Sequence, residues 1–273
     1  IVLAVGLGVF APRVEHALSG AGWEASGSQS VEARQLIDEN FGGQSSAALM
    51  VVVHSPSATV GDSEFTATVD KVAVILKEDS RVASVALPTA GFSISQDGHT
   101  AIVSAGAKGT TTEMVAAADE LKGKLKDAGS ETVQVSLTGA SGMWSDFNEA
   151  NRSAMMKSEL ISWPVTLVIL MLAFGSLVAA GLPLMLTILG LVASAGTLFV
   201  GAQFFDISIW AMNFALMFAL ALGIDYALFV VHRFRGAFFG SKLSAREAVA
   251  VTMDTAGKAV LFSGATVLIS LSA

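Results

Sequence analysis

The pair Asp225–Tyr226 stands in the stretch GIDYALF (223–229), inside an apolar run, residues 207–231, in which Asp225 is the only ionisable carboxylate. An aspartate near the centre of a membrane helix costs about 2.5–3.5 kcal/mol on insertion scales. Asp225 lies seven residues before His232, which is about 10 Å of helix and too deep for its short side chain to reach water. Intramembrane carboxylates of this kind commonly serve proton or ion paths. The sequence therefore predicts a proton-carrying role for Asp225.

Tyr226 is the only tyrosine of the chain. Three further residues are candidate polar or packing positions that support the pair: Asn213, Gly223 and Ser263. A residue at i+1 points about 100° away on a helix, so we expect Asp225 and Tyr226 to face partners on different helices. Asn213 and Ser263 either extend a polar track to the pair or form ordinary hydrogen bonds between helices. Gly223 either lets a second helix approach closely or is a passive small residue.

Composition indicates a membrane protein that carries an acidic, soluble part. The 273 residues are 53% hydrophobic and only 14% charged, whereas a soluble domain has roughly 25% charged residues. Residues 13–159 hold 11 Lys/Arg and 19 Asp/Glu, whereas residues 160–273 hold 5 Lys/Arg and 4 Asp/Glu. We therefore expect the first range to lie outside the membrane and the second to lie mainly within it.

Apolar runs predict where the chain crosses the membrane. Residues 161–201 carry no charge, which leaves room for two spans of about 20 residues. Residues 232–258 carry five Lys/Arg against two acids, so the positive-inside rule places this segment in the cytoplasm and, counting back, residues 13–159 on the extracytoplasmic side. The predicted segments are the end of a first transmembrane helix at 1–12, spans at about 160–178, 182–202, 207–231 and 258–273, and a cytoplasmic loop at 232–257.

The extracytoplasmic part shows alternating strand and helix patterns. Short β-branched runs predict strands, and apolar residues at helical spacing predict helices. The strands are expected at 47–55, 81–88, 100–109 and 132–140, and the helices at 61–80 and 111–129. Their order, βαββαβ, is typical of ferredoxin-like domains. The predicted fold is thus an α-helical polytopic membrane protein with an inserted α+β ferredoxin-like porter domain at 13–159.

Two segments resemble enzyme motifs but lack residues that those motifs require. The segment MDTAGKA (253–259) ends like a phosphate-binding loop, but that loop needs Gly at 252 and Ser or Thr at 259, where Thr252 and Ala259 stand. TGASGM (138–143) lacks the last glycine of a nucleophile elbow. The chain has no cysteine, and its four histidines are scattered. We therefore expect a protein that is not an enzyme, binds no metal or cofactor, and draws energy from the proton gradient.

Three stretches, in this order, give the chain a family resemblance. They are SELISWPVTLVILMLAFGSLVAAGLPL (158–184), FALALGIDYALFVVHRFRG (218–236) and TAGKAVLFSGATV (255–267). With them the chain resembles the MMPL family of exporters, within the resistance-nodulation-division superfamily, over essentially its whole length.

The resemblance implies a proton-driven exporter of lipids, glycolipids or other amphiphiles in the plasma membrane. Asp225 and Tyr226 match the family's proton-relay pair, and Ser263 falls on the polar position of the fifth span. The chain is expected to be an N-terminal half, with a second transmembrane half or another copy of the chain as partner to Asp225. Membrane lipids, the amphiphile and protons are the other expected partners, and no nucleic-acid partner is expected.

Two alternatives stay open. One is a membrane scaffold or lipid sensor that transports nothing, in which the polar pair only fixes helix packing. The other is a protein-translocation accessory of the same superfamily. An aspartate favours transport over a scaffold, because Asn or Ser would serve helix packing at lower cost.

Overall fold

The computed structural model describes residues 2–18, 20, 27–205 and 207–272. Within them it is mostly helical and contains one small antiparallel sheet. A 3-10 turn (Ala11–Arg13) and a π-helical turn (Met253–Gly257) supplement the regular elements. In chain order these are α1 (Val2–Gly8), α2 (Val14–Ala17), α3 (Gln29–Asn40), β1 (Leu49–His54), α4 (Ser63–Lys77), β2 (Val82–Ala86), β3 (Thr100–Ala107), α5 (Thr111–Asp127), β4 (Gln134–Thr138), α6 (Ala140–Phe174), α7 (Leu177–Gly201), α8 (Trp210–Phe239), α9 (Ala245–Thr252) and α10 (Lys258–Leu271).

The chain divides into two compact units. The sheet unit comprises Ser19–Met156, and the helical unit comprises Ile1–Leu18 together with Lys157–Ala273. The division falls inside α6, which is one continuous helix of 35 residues.

The sheet unit contains the strands in the spatial order β2–β3–β1–β4, with every neighbouring pair antiparallel. Along the chain they alternate with helices as β1–α4–β2–β3–α5–β4. All six elements lie within the ranges predicted from the hydrophobic pattern. Three alternate residues of β1 are fully buried, namely Leu49, Val51 and Val53. A strand with one face on the core buries every second side chain, and these positions need apolar residues.

The two helices of this arrangement supply the other half of its core. Phe65, Val72 and Leu76 of α4 recur at helical spacing, and all three are fully buried in the same cluster as the β1 side chains. α5 begins at a capping box, in which the Thr110 side chain accepts from the Glu113 backbone amide and the Glu113 carboxylate accepts from that of Thr110. This box satisfies two amides that a helix start otherwise leaves unpaired.

Two local arrangements tie the sheet unit together. After α3, the Gly43 carbonyl accepts a hydrogen bond of 2.7 Å from the Ala107 amide at the end of β3. Gly43 has φ +78°, and a Cβ there would lie 2.1 Å from the Ala107 carbonyl oxygen, so only glycine fits. At the start of β2, Arg81 donates to Asp79 at 2.9 and 2.7 Å and to Glu120 of α5 at 2.8 Å.

In the helical unit, three helices among the described residues are long and apolar enough to cross a membrane: α6, α7 and α8. α10 covers 14 residues, Lys258–Leu271, of the span predicted at 258–273. α6 ends at Phe174 and α7 begins at Leu177, with Gly175 at φ +65° between them. The chain is therefore a membrane-bound protein.

Helix ends differ from the span ends expected from the sequence. α8 continues to Phe239, beyond residue 231, where the apolar run ends. Apolarity marks the length suited to lipid, whereas backbone hydrogen bonding continues into polar residues as long as no breaker intervenes. The first apolar segment, predicted at 1–12, forms α1 and a 3-10 turn, and α1 packs against α7 so closely that a Cβ on Gly196 would lie 2.1 Å from the Leu7 carbonyl oxygen.

Candidate functional site

The predicted site residues are carried mainly by one helix. Asn213, Gly223, Asp225 and Tyr226 all lie on α8, whose long apolar run makes it a transmembrane helix. Ser263 lies on α10. Any chemistry at this site therefore depends on how α8 packs against its neighbours.

The structure joins Tyr226 and Ser263 directly. The Tyr226 hydroxyl and the Ser263 Oγ lie 2.9 Å apart, and either oxygen is able to donate. Tyr226 is half-buried and faces α10, whereas Ser263 is otherwise exposed. This contact brings together two of the predicted residues that lie 37 positions apart in sequence.

Asp225 lies beside this pair but faces elsewhere. Its side chain is exposed and makes no hydrogen bond or ion pair with any residue in the described ranges. The two neighbours thus point to different surroundings, as expected from the 100° step of a helix. The carboxylate is open to whatever packs on this face of α8.

Gly223 packs closely against Thr187 of α7. A Cβ added there would lie 2.8 Å from the Thr187 Oγ1 and 3.5 Å from the Thr187 Cβ. Thr187 is buried, and its hydroxyl donates to the Pro183 carbonyl at 3.0 Å. The absence of a side chain at Gly223 thus sets the distance between the two helices two residues before Asp225.

Asn213 is not brought to the pair. It lies on α8, twelve residues before Asp225, is half-buried, and makes no side-chain hydrogen bond within the described parts of the chain. A polar track from Asn213 to Asp225 remains a prediction.

Arg233 and Arg235, which the sequence pattern marked only as positive charges, make specific contacts at the end of α8. The Arg235 guanidinium donates to the Phe174 carbonyl at 2.6 Å and lies 5.7 Å from the Phe174 ring centroid. A cation at the last carbonyls of α6 is favourable because the helix dipole is negative there. Arg233 donates to the Thr255 hydroxyl at 3.1 Å.

The groups brought together here are a carboxylate and two hydroxyls, which accept or donate hydrogen bonds and protons. Among the residues described, no group of three or more His, Cys, Asp or Glu could hold a metal ion. The site therefore consists of an open carboxylate on α8 beside a hydroxyl pair that links α8 to α10.

Long apolar helices, a separate α+β unit and a carboxylate within an apolar helix indicate a polytopic membrane protein. The model of the MMPL family matches residues 22–273. The chain therefore belongs to the MMPL family, whose members are transporters, and the resemblance seen in the sequence is confirmed.

Similar proteins occur in several bacteria. The chain is 34% identical to membrane protein YdfJ of Bacillus subtilis over 72% of its own length and 26% of that protein. It is 28% identical to the mycolic acid-containing lipids exporter MmpL11 of Mycolicibacterium smegmatis, over 93% of this chain and 27% of that protein. It is 27% identical to the trehalose monomycolate exporter MmpL3 of Mycobacterium tuberculosis, over 99% of this chain and 29% of that protein. The chain thus spans about a quarter to a third of the length of these relatives.

Proposed function

We propose that this chain is part of an exporter of lipids, glycolipids or other amphiphiles in the plasma membrane, driven by the proton-motive force. The observation that carries the proposal is Asp225, an open carboxylate inside an apolar helix, beside the hydroxyl pair Tyr226–Ser263. The lipid cargo is supported by two relatives, which are named as exporters of mycolic acid-containing lipids and of trehalose monomycolate.

In the proposed mechanism, Asp225 takes up a proton from one side of the membrane and releases it to the other. Each proton that crosses 100 mV supplies about 2.3 kcal/mol. Tyr226 is held by Ser263, so its hydroxyl presents a fixed donor or acceptor on the side of α8 that faces α10, next to the side that carries Asp225. The exposed face of α8 at Asp225 is covered, in this proposal, by a second transmembrane half or by another copy of the chain.

The sheet unit is, in the same proposal, a ferredoxin-like porter domain on the extracytoplasmic side. Its element order βαββαβ and its antiparallel strand order β2–β3–β1–β4 support this assignment. The orientation rests on the basic segment 232–258, which begins within the last part of α8 and includes Arg233 and Arg235.

A scaffold or sensor that moves no cargo is the competing function, and one observation favours it. The Tyr226–Ser263 contact is a hydrogen bond between helices, and such bonds stabilise membrane helix packing by about 0.6–2 kcal/mol without any transport. In that case Asp225 would contribute only to assembly.

The substitution Asp225→Asn in the full-length protein separates the two functions. It keeps the shape of the side chain and removes its ability to release a proton. We expect export of the lipid to be lost while the protein stays in the membrane at its normal level, measured by lipid analysis of the cell surface and by immunoblotting. Asp70→Asn, the same change on an exposed position of α4, serves as the matched control and should export normally. Normal export by Asp225→Asn would rule the relay out.

A further inference from the structure

Two polar contacts, not one, join α8 to the segment that contains α10. The first is Tyr226–Ser263 at 2.9 Å, and the second is Arg233–Thr255 at 3.1 Å. Residue numbers rise along α8 from the first contact to the second and fall along the other segment. The two segments therefore run antiparallel and are joined by these two hydrogen bonds.

The number of residues between the two contacts differs between the two segments. Tyr226 and Arg233 are seven residues apart, whereas Thr255 and Ser263 are eight residues apart. At about 100° per residue, seven residues of α-helix fall about 20° short of two full turns, so Tyr226 and Arg233 lie on one face. Eight residues would overshoot two turns by about 80°, so in a regular helix Thr255 and Ser263 would not face α8 together.

The π-helical turn reaches into the stretch between the two contacts, where it can compensate for the excess rotation of about 80°. It covers Met253–Gly257 and so includes Thr255 and the next two residues, Ala256 and Gly257. A π turn closes its hydrogen bonds from i to i+5 instead of i+4, and so holds about one residue more than an α-helical turn. Eight residues that include part of a π turn therefore cover nearly the same rotation as seven residues of α-helix.

We propose that the π-helical turn is the element that places the Ser263 hydroxyl opposite Tyr226, and that Arg233 and Thr255 are the positioning residues that fix its register. Thr255 is suited to this role because its hydroxyl both donates and accepts a hydrogen bond. It donates to the Val251 carbonyl at 2.8 Å and accepts from Arg233 at 3.1 Å. The part that concerns proton transfer rests on the proposed function, because Tyr226 matters to transport only if it belongs to the relay.

The proposal predicts an asymmetry that a regular helix would not show. Deletion of Gly257 removes the extra residue, turns the π turn into α-helix, and leaves Thr255 and Ser263 seven residues apart on one face. Duplication of Gly257 adds a second extra residue and rotates Ser263 by about 100° away from α8. Neither change adds or removes a side chain, so the two variants are matched.

Geometry is measured first, and independently of transport. This chain has no cysteine, so cysteines at positions 226 and 263 of the full-length protein, with any others replaced, report on the distance between α8 and α10. With a short bifunctional thiol reagent we expect the deletion to cross-link as well as the parent, and the duplication to lower the yield about tenfold, because a rotation of about 100° carries Ser263 to another face. Equal yields from deletion and duplication would overturn the proposal.

Transport is measured second, without the cysteines. We expect the Gly257 deletion to export and the duplication to fail. Thr255→Val, which keeps the shape but removes the acceptor, should export less than the parent, and Thr255→Ser should restore export. Failure of Thr255→Ser to restore it would show that Thr255 only packs. If the cross-linking asymmetry holds but Asp225→Asn exports normally, the register is correct and the proposed relay is not.

Discussion

The contact between Gly223 and Thr187 allows a quantitative test of how α8 is held. In Gly223→Ala the new Cβ would start 2.8 Å from the Thr187 Oγ1, whereas real Cβ atoms essentially never lie within 3.0 Å of such a neighbour. Either α8 moves away by roughly 0.5 Å or more, or Thr187 rotates and gives up its bond to the Pro183 carbonyl. Overpacking of this kind costs about 1–3 kcal/mol. Alanine regains about 1 kcal/mol of helix propensity, so the net loss should be about 0–2 kcal/mol.

The assay is thermal unfolding of the full-length protein in detergent, combined with export in cells. Gly236→Ala is the matched control, since Gly236 lies on the same helix and a Cβ there would meet nothing within 4 Å. It should be neutral or slightly stabilising. Thr187→Ala removes the crowding, so the double variant with Gly223→Ala should recover about 1–2 kcal/mol relative to the sum of the single changes. Strictly additive effects would refute the reasoning.

Two further predictions concern the sheet unit. Hydrogen bonds and the charge of Arg81 hold the pKa of Asp79 below its usual value, so this pair stabilises the unit above about pH 4 and the contribution is lost as the pH falls through the lowered pKa. Arg81→Gln should therefore weaken protection from hydrogen exchange at pH 7 and reduce its loss on acidification; an unchanged profile would contradict the pairing. Gly43→Ala should destabilise the unit by more than about 3 kcal/mol, because strain at positive φ adds to a backbone clash. Gly91→Ala, also at positive φ but in open space, should cost only about 1–2 kcal/mol, and equal protease sensitivity of the two variants would refute the clash.

The strands and helices of the sheet unit were predictable because their signals are local. Residues 47–55 contain a short β-branched run, and Phe65 and Val72 recur at helical spacing, so the type of each element can be predicted from a few neighbouring residues. The end of α8 at Phe239 was not predictable in the same way. The sequence marks where apolarity stops, and helical hydrogen bonding does not stop there.

Asp225 was recognisable because a carboxylate in an apolar run is costly and therefore rare. Ser263 was singled out as a polar residue of the last apolar segment, but its contact with Tyr226 was not predicted, since nothing local connects positions 226 and 263. The Arg233–Thr255 contact and the π-helical turn had no sequence signal at all. Both depend on the register between two helices, which is decided by packing across the whole contact and not by any one residue type.

The bond from Arg235 to the last carbonyl of α6 has a mechanical meaning for the helical unit. It pins the α6–α7 joint to α8 at one end, with Gly175 at a positive φ in the joint itself. Sliding of the hairpin along α8 would break a charge-assisted bond of 2.6 Å, whereas tilting about that end would not. A motion of these three helices that keeps this bond would therefore have to leave their end at Arg235 in place.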